Sequence, residues 1–546
     1  MTGRSIWLFG GLILAVALVV LKRTSTTETR VRETDVLVIA IASDIETLDP
    51  PFSRFQRSNE TNLNVFDQFF RYATHDTAKG YRVADVGTIE GAAIESWDWL
   101  DGQKRLALKI RRDTVFAKTG RTVTADDFAC WFERAYGTDS GTLWNVETAK
   151  ITKAEKTGDY EMTLHFSDPS PWFFSLFRDQ SQAPIDHVAA AQHVESDDEW
   201  ATRWLSKNDV GSGEFYVISW EPGVKMVLKA NSKYWAGRAF FDEVELRIVP
   251  NSTARALLLR EGEVDIATDL STDELQAMRG APDVKVLSIP TRNQMILGFN
   301  TNTPPLDNVK VRQALSYAVP YELIHEGIFK GRGLVSAGPI PVQGRFHDSS
   351  LWPYAFDLEK ARALLDEAGY PEGFELTLDI AQGQPLTEQV AVVLQDTFSQ
   401  IAVKLRINPQ SSAIFAEQLG TLEHQAWVRD LLWYVDDPGY TGELFFKTGA
   451  VSNWMGYSNL ELDEVIRQLS VTVDPARKAR LAETYQKLII TDAPVLFIAE
   501  LPFEIAMREE IDGYVQLPDN LLWYYPLYRK KGDTLTDRHT ERFPGE

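Results

Sequence analysis

The residue types with most scope for chemistry in this chain meet in one stretch, Trp427-Val428-Arg429-Asp430-Leu431-Leu432-Trp433-Tyr434-Val435-Asp436-Asp437-Pro438. Asp436 and Asp437 have the composition of an acid–base dyad, but adjacent residues of a strand point to opposite faces and cannot serve one substrate together. Elsewhere the eight histidines are scattered, and there is no His-Glu-x-x-His, no Gly-x-Ser-x-Gly and no glycine-rich phosphate loop. The single cysteine, Cys130, excludes an internal disulfide and any cysteine-based metal cluster, and its helical apolar setting predicts a buried thiol. The chain therefore reads as a non-enzyme with no metal and no resident cofactor. Binding is the chemistry left, and extended segments in general can hold a ligand's backbone through main-chain hydrogen bonds whatever its side chains. An acid and an arginine can clamp charged ends. Trp433 and Tyr434 offer rings to a sugar or an apolar ligand, with partial core burial as the plainer alternative.

Regular elements must carry these residues. Phe215 to Trp220 and Lys225 to Leu228 alternate around Glu221-Pro222-Gly223, which predicts a hairpin. A strand over 241–249, a short helix from Ser252 and Val264-Asp265-Ile266 follow. Earlier, 92–98 and 105–110 pair around Asp101-Gly102, Thr124 caps a helix with acids in its first turn, and 150–166 forms a further hairpin. Trp172 to Phe177 reads as core filling. Asp357 to Gly369 is a capped amphipathic helix. Strand, helix and strand at 374–380, 386–401 and 403–407 predict a largely parallel sheet, which binds ligands where strand order switches.

The order of these motifs is informative. Gly211-Ser212-Gly213-Glu214-Phe215, Asn231 with Tyr234-Trp235, and Gly262-Glu263-Val264-Asp265 resemble the central signature of the family-five extracellular solute-binding proteins. Those are the peptide, dipeptide and nickel receptors of bacterial ABC importers. Leu48-Asp49-Pro50, Pro304-Pro305-Leu306-Asp307-Asn308 with Val311 to Ala318, Asp357 to Tyr370, and Asn453 to Asp463 resemble further motifs of the same family, over roughly residues 36–530. The resemblance implies an α/β, periplasmic-binding-protein-like fold with two main lobes joined by a hinge plus an additional smaller lobe (cluster C type). It implies a monomer that captures an oligopeptide-like solute and presents it to ABC permease subunits. A nickel complex, haem or an oligosaccharide is the alternative solute, and a membrane-tethered sensor using the same cleft is the alternative role.

On the same resemblance the ligand-binding residues are Arg54, Asn293, Gln294, Met295, Leu297, Arg429, Trp433, Tyr434 and Asp436. Departures stand among them. Tyr434 occupies the position where relatives place an ammonium-binding Asp, with Asp436 two residues on; Val428 occupies that of the arginine, with Arg429 beside it. Val319-Pro320 also replaces a helix-starting acid, a change expected in a cap rather than in a site.

At 546 residues with 44% hydrophobic and 11% aromatic content, the chain can build more than one core. Its net charge of −22 excludes a nucleic-acid partner. We divide it into a membrane anchor or signal segment (1–23), a tether (24–35), a large lobe (36–80, 207–292 and 504–530), a smaller lobe (81–206), a third lobe (293–503) and a tail (531–546). The apolar run Ile6 to Leu21, with no clean cleavage site after it, favours an uncleaved anchor over release; Lys22 and Arg23 oppose export, but the resemblance implies an exported receptor, periplasmic or cell-surface, tethered to the cytoplasmic membrane or secreted.

Overall fold

The computed structural model describes residues 35–530 apart from Arg54, Asp139 and Gly383. The expected anchor, all but the last residue of the tether, and the tail lie outside the described residues. Among the described residues no helix is long and apolar enough to cross a membrane.

Alternating residues make the first hairpin as the sequence requires. Phe215–Glu221 and Lys225–Ala230 pair antiparallel, and Gly223 takes a φ of +74°, the left-handed conformation that favours glycine. Phe215, Met226 and Leu228 are buried on one face. The hairpin continues antiparallel into Glu243–Ile248, which runs parallel to Val36–Ile41, itself parallel to Ile266–Ala267. The intervening helix Ser252–Arg260 is capped one residue earlier than expected, Asn251 Oδ1 accepting from Ala254 N at 2.8 Å.

The two glycines before the hairpin have a steric reason. A Cβ on Gly211 would lie 2.1 Å from the Val65 carbonyl oxygen, and one on Gly213 would lie 2.6 Å from its carbon. Glycine alone lets this loop cross the end of helix Gln56–Val65, where Gly213 N donates to Val65 O at 2.9 Å. Gly211→Ala is expected to cost about 3 kcal/mol through overpacking against backbone, read as a lowered urea midpoint with an unchanged slope.

Two long antiparallel strands, Val284–Phe299 and Val495–Arg508, tie the molecule together. Residues 284–290 and 502–508 complete the sheet built on Val36–Ile41, while residues 293–299 and 495–501 belong to a second half. There they join Ala426–Leu432, Phe374–Ala381 and Val403–Gln410. Between the halves the register breaks: Pro290 faces Pro502, Asn293 faces Leu501, and Thr291 and Arg292 have no opposite number. Facing prolines supply no N–H to the ladder, so the continuous sheet is weakest there. The three shorter strands of the second half are parallel, linked through helix Pro385–Ser399, but the crossing strands run antiparallel beside them, so the sheet is mixed rather than largely parallel.

A separate four-stranded sheet orders Ile94–Leu100, Arg105–Ile110, Glu161–Phe166 and Ile151–Gly158. Its aromatic core holds Phe69, Phe70, Phe128, Trp131, Trp172 and Phe173, so the Trp172 to Phe177 cluster fills the interior. The expected caps form: Asp127 Oδ2 accepts from Thr124 N at 2.9 Å, Asp357 Oδ1 accepts from Lys360 N at 2.9 Å, and Gly369 ends its helix at φ +87°. Helix Tyr321–Gly327 starts at Pro320 without a side-chain cap, where the acid is missing. Cys130 is half-buried, and burial raises its thiol pKa.

Candidate functional site

The chain leaves strand Ala426–Leu432 and crosses the space between the two halves and the four-stranded sheet. Two cavities of about 460 Å³ each flank this crossing. One opens at the register break and is lined by Pro290, Arg292, Arg345 and Asp436; the other is lined by Asn59, Trp144, Asp179, Gln180, Tyr434 and Asp519.

In the chamber at the register break a single buried carboxylate meets two guanidiniums. Asp436 accepts from Arg345 N at 3.0 Å and lies 3.3 Å from Arg292 Nη1 and 3.4 Å from Arg345 Nε. The group carries one net positive charge in an otherwise acidic protein, and Arg292 sits on the register break itself. Asp437 turns the other way, capping helix Pro438–Thr441 by accepting from Gly439 N at 2.9 Å and pairing with Lys478. The two acids therefore do separate structural work and form no dyad.

In the second chamber the Tyr434 hydroxyl lies 2.5 Å from that of Tyr440, and burial pushes the Tyr434 pKa up to about 12. Val435 and Tyr440 pack into the aromatic core of the four-stranded sheet, with the Tyr440 ring 5.8 Å from Trp144 and 6.1 Å from Trp172. This apolar contact ties residues 435–440 to the four-stranded sheet. Asp179 Oδ1 accepts from Ser181 N at 2.9 Å and from Ser181 Oγ at 2.5 Å. Burial raises its pKa, opposed by those bonds and by Arg178. Arg178 pairs with Asp519 at 2.7 Å.

Of the residues expected from sequence, Tyr434 and Asp436 line these cavities, one in each. Arg54 lies outside the described residues. Met295 and Leu297, each 1% exposed, belong to the core of the third lobe rather than to the cleft. Their strand is covered on both faces, so alternation brings no side chain of this part out to a ligand. Gln294 is buried too, donating to Ser336 Oγ at 2.7 Å and accepting from Trp433 Nε1 at 2.6 Å, which fixes Trp433 in the interior against Phe445. Asn293 donates to Asp430 at 3.1 Å, and Arg429 stacks 4.5 Å above Trp454. Sequence reasoning missed Asn59, Asp179, Gln180 and Asp519. The one available signal was the polar run Asp179-Gln180-Ser181-Gln182 directly after an aromatic cluster, and only the fold brings it opposite Tyr434.

The model of the bacterial extracellular solute-binding proteins, family 5 (middle region), matches residues 88–453. The chain is 27% identical over 490 residues to a probable D,D-dipeptide-binding periplasmic protein, DdpA, of Escherichia coli, covering 89% of this chain and 92% of that one. It is 27% identical over 458 residues to heme-binding protein A of Haemophilus influenzae, covering 79% and 82%. Among solved structures, the Helicobacter pylori periplasmic binding protein DppA in complex with the peptide STSA superposes with a TM-score of 0.78 at 22% identity, covering 91% of this chain and 98% of the other.

Proposed function

Because the chain belongs to the bacterial extracellular solute-binding proteins of family 5, we propose that it is the receptor of an ABC importer for an oligopeptide-like solute, shutting on its ligand and offering the closed form to the permease. The observation that carries this reading is the pair of chambers on either side of residues 434–436, next to the wider of the two places where the crossing strands lose register, between Pro290 and Asn293. Thr291 and Arg292 are the hinge, and motion there carries the third lobe against the other two. Opening withdraws Val435 and Tyr440 from the aromatic core around Trp172, so their burial adds to the contacts of the solute in holding the closed form and is outweighed without it. The boundary we propose between the large and third lobes, at residues 291–292, separates two hydrophobic cores, whereas Ala183, Ile185, Ala190 and Leu205 pack into the core of the large lobe and Phe69 and Phe70 into that of the smaller one. The hinge chamber, with two guanidiniums on one carboxylate, suits a ligand carboxylate.

Native mass spectrometry of the purified full-length chain in detergent tests the solute class. Co-purifying peptides of mixed sequence are the expected result. A homogeneous sugar, haem or metal species in their place overturns the peptide reading.

A further inference from the structure

Behind the Asp436 group, on the crossing strand Val495–Arg508, lies a second carboxylate that does not line the cavity. Glu500 is 1% exposed and stands opposite Gln294, just past Arg292 and the register break. Its Oε1 accepts from Val342 N at 2.6 Å and lies 3.5 Å from Gln294 Nε2, whereas its Oε2 is buried with no hydrogen-bond partner among the described residues. One backbone N–H and one distant amide are few donors for a buried carboxylate, whose ionised form is normally held by several. Both partners lead to the cavity: Gln294 fixes Trp433 beside Tyr434, and Val342 opens the loop that brings Gln343 and Arg345 to the cavity wall. Arg292 is the cation that draws Glu500 toward its ionised form. The loop adds Arg345, held by Asp436, and His347, whose Nδ1 lies 2.8 Å from Ile340 O. On the strand itself Glu504 is paired with Arg279 and Arg332, and His325 of helix Tyr321–Gly327 lies 3.2 Å from Glu326. Arg292 is therefore drawn to two carboxylates, Asp436 in the cavity wall and Glu500 behind it.

We propose that Glu500 is a positioning residue of the solute site that works by holding a proton. Neutral, it leaves Arg292 to Asp436 and to a carboxylate of the solute; ionised, it competes with the solute for that guanidinium. The assignment rests on reading the chamber at the register break as the place of a solute carboxylate. Such a linkage is reciprocal, so a bound carboxylate favours the protonated form of Glu500. Burial raises the Glu500 pKa to about 7 against the pull of Arg292, and an anion bound on Arg292 raises it further. Affinity for an anionic solute is therefore full below that value and falls as pH rises through it.

The test is titration calorimetry at pH 6 and pH 8.5, on the full-length chain in detergent and on its Glu500→Gln variant, with three probes: trialanine, trialanine amide and succinate. Between those pH values trialanine should lose at least about fivefold more affinity than its amide on the wild-type chain. On Glu500→Gln the two should change alike. Glutamine keeps an oxygen for Val342 N, and the comparison of acid with amide on the wild-type chain needs no variant at all. Parallel losses for acid and amide, or an acid-specific loss that survives in Glu500→Gln, overturn the linkage and leave the peptide reading standing. Succinate binding that weakens with pH on the wild-type chain alone, with no tripeptide bound, keeps the linkage and overturns the peptide reading. No binding by any probe overturns both.

Discussion

Asp49→Ala is expected to lower the free energy of unfolding by about 3–5 kcal/mol, because it leaves a buried guanidinium without its partner. Asp49 is fully buried and Arg134 is 3% exposed. Arg134 Nη1 donates to Asp49 Oδ1 at 2.7 Å, and Nη2 reaches the other oxygen. Burial raises the Asp49 pKa against the lowering pull of Arg134. This pair anchors the Leu48-Asp49-Pro50 turn of the large lobe to helix Ala125–Gly137 of the smaller one, and the turn supplies Pro51 and Ser53 to the Tyr434 chamber. The loss should appear in urea unfolding, accompanied by weaker solute binding. Asp49→Ala/Arg134→Met should recover most of the stability, since it removes the orphaned charge rather than restoring the pair. A single variant as stable as wild type contradicts this account of the anchor.

Glu214→Gln is expected to stabilise the protein at pH 8.5 by roughly 3–5 kcal/mol and to change little at pH 5. Glu214, in the Gly-Ser-Gly-Glu-Phe motif, is pushed up to about 8 by burial, with the neighbouring Asp67 adding to the shift. Burial likewise raises Asp67 to about 6 and Glu500 to about 7. For acids whose folded pKa is raised, the stabilising contribution is complete below the unfolded value and is lost as pH rises through the folded one. Stability should therefore decline between about pH 4.5 and pH 8. Glutamine is neutral throughout and still accepts from Trp523 Nε1, which lies 3.2 Å from Glu214 Oε1. Urea midpoints at the two pH values decide the matter; parallel profiles for variant and wild type would show that Glu214 is ionised without penalty.

Local rules made the scaffold legible. The turn at Pro222-Gly223, the caps at Thr124 and Asp357 and the glycine stop at Gly369 are short-range events, and each formed where the residues demanded it. The glycine pair at 211 and 213 was visible as a pattern, but its cause, contact with Val65 some 146 residues away, required the fold. The ligand residues were less legible for the same reason. Alternation along Val284–Phe299 gave Met295 and Leu297 no way to reach the cleft, because cores cover both faces of that strand. Asp179 and Tyr434 come from distant segments that only the packing of the smaller lobe on the third brings to one chamber.

If a solute is held between lobes that move about residues 291–292, binding must make the molecule more compact. Small-angle X-ray scattering of the full-length chain in matched-out detergent, stripped of solute and then saturated with the solute eluted from it, tests this directly. A smaller radius of gyration is expected on saturation, with a return to the larger value on stripping. Saturating binding, verified by calorimetry, with superimposable scattering curves would contradict it.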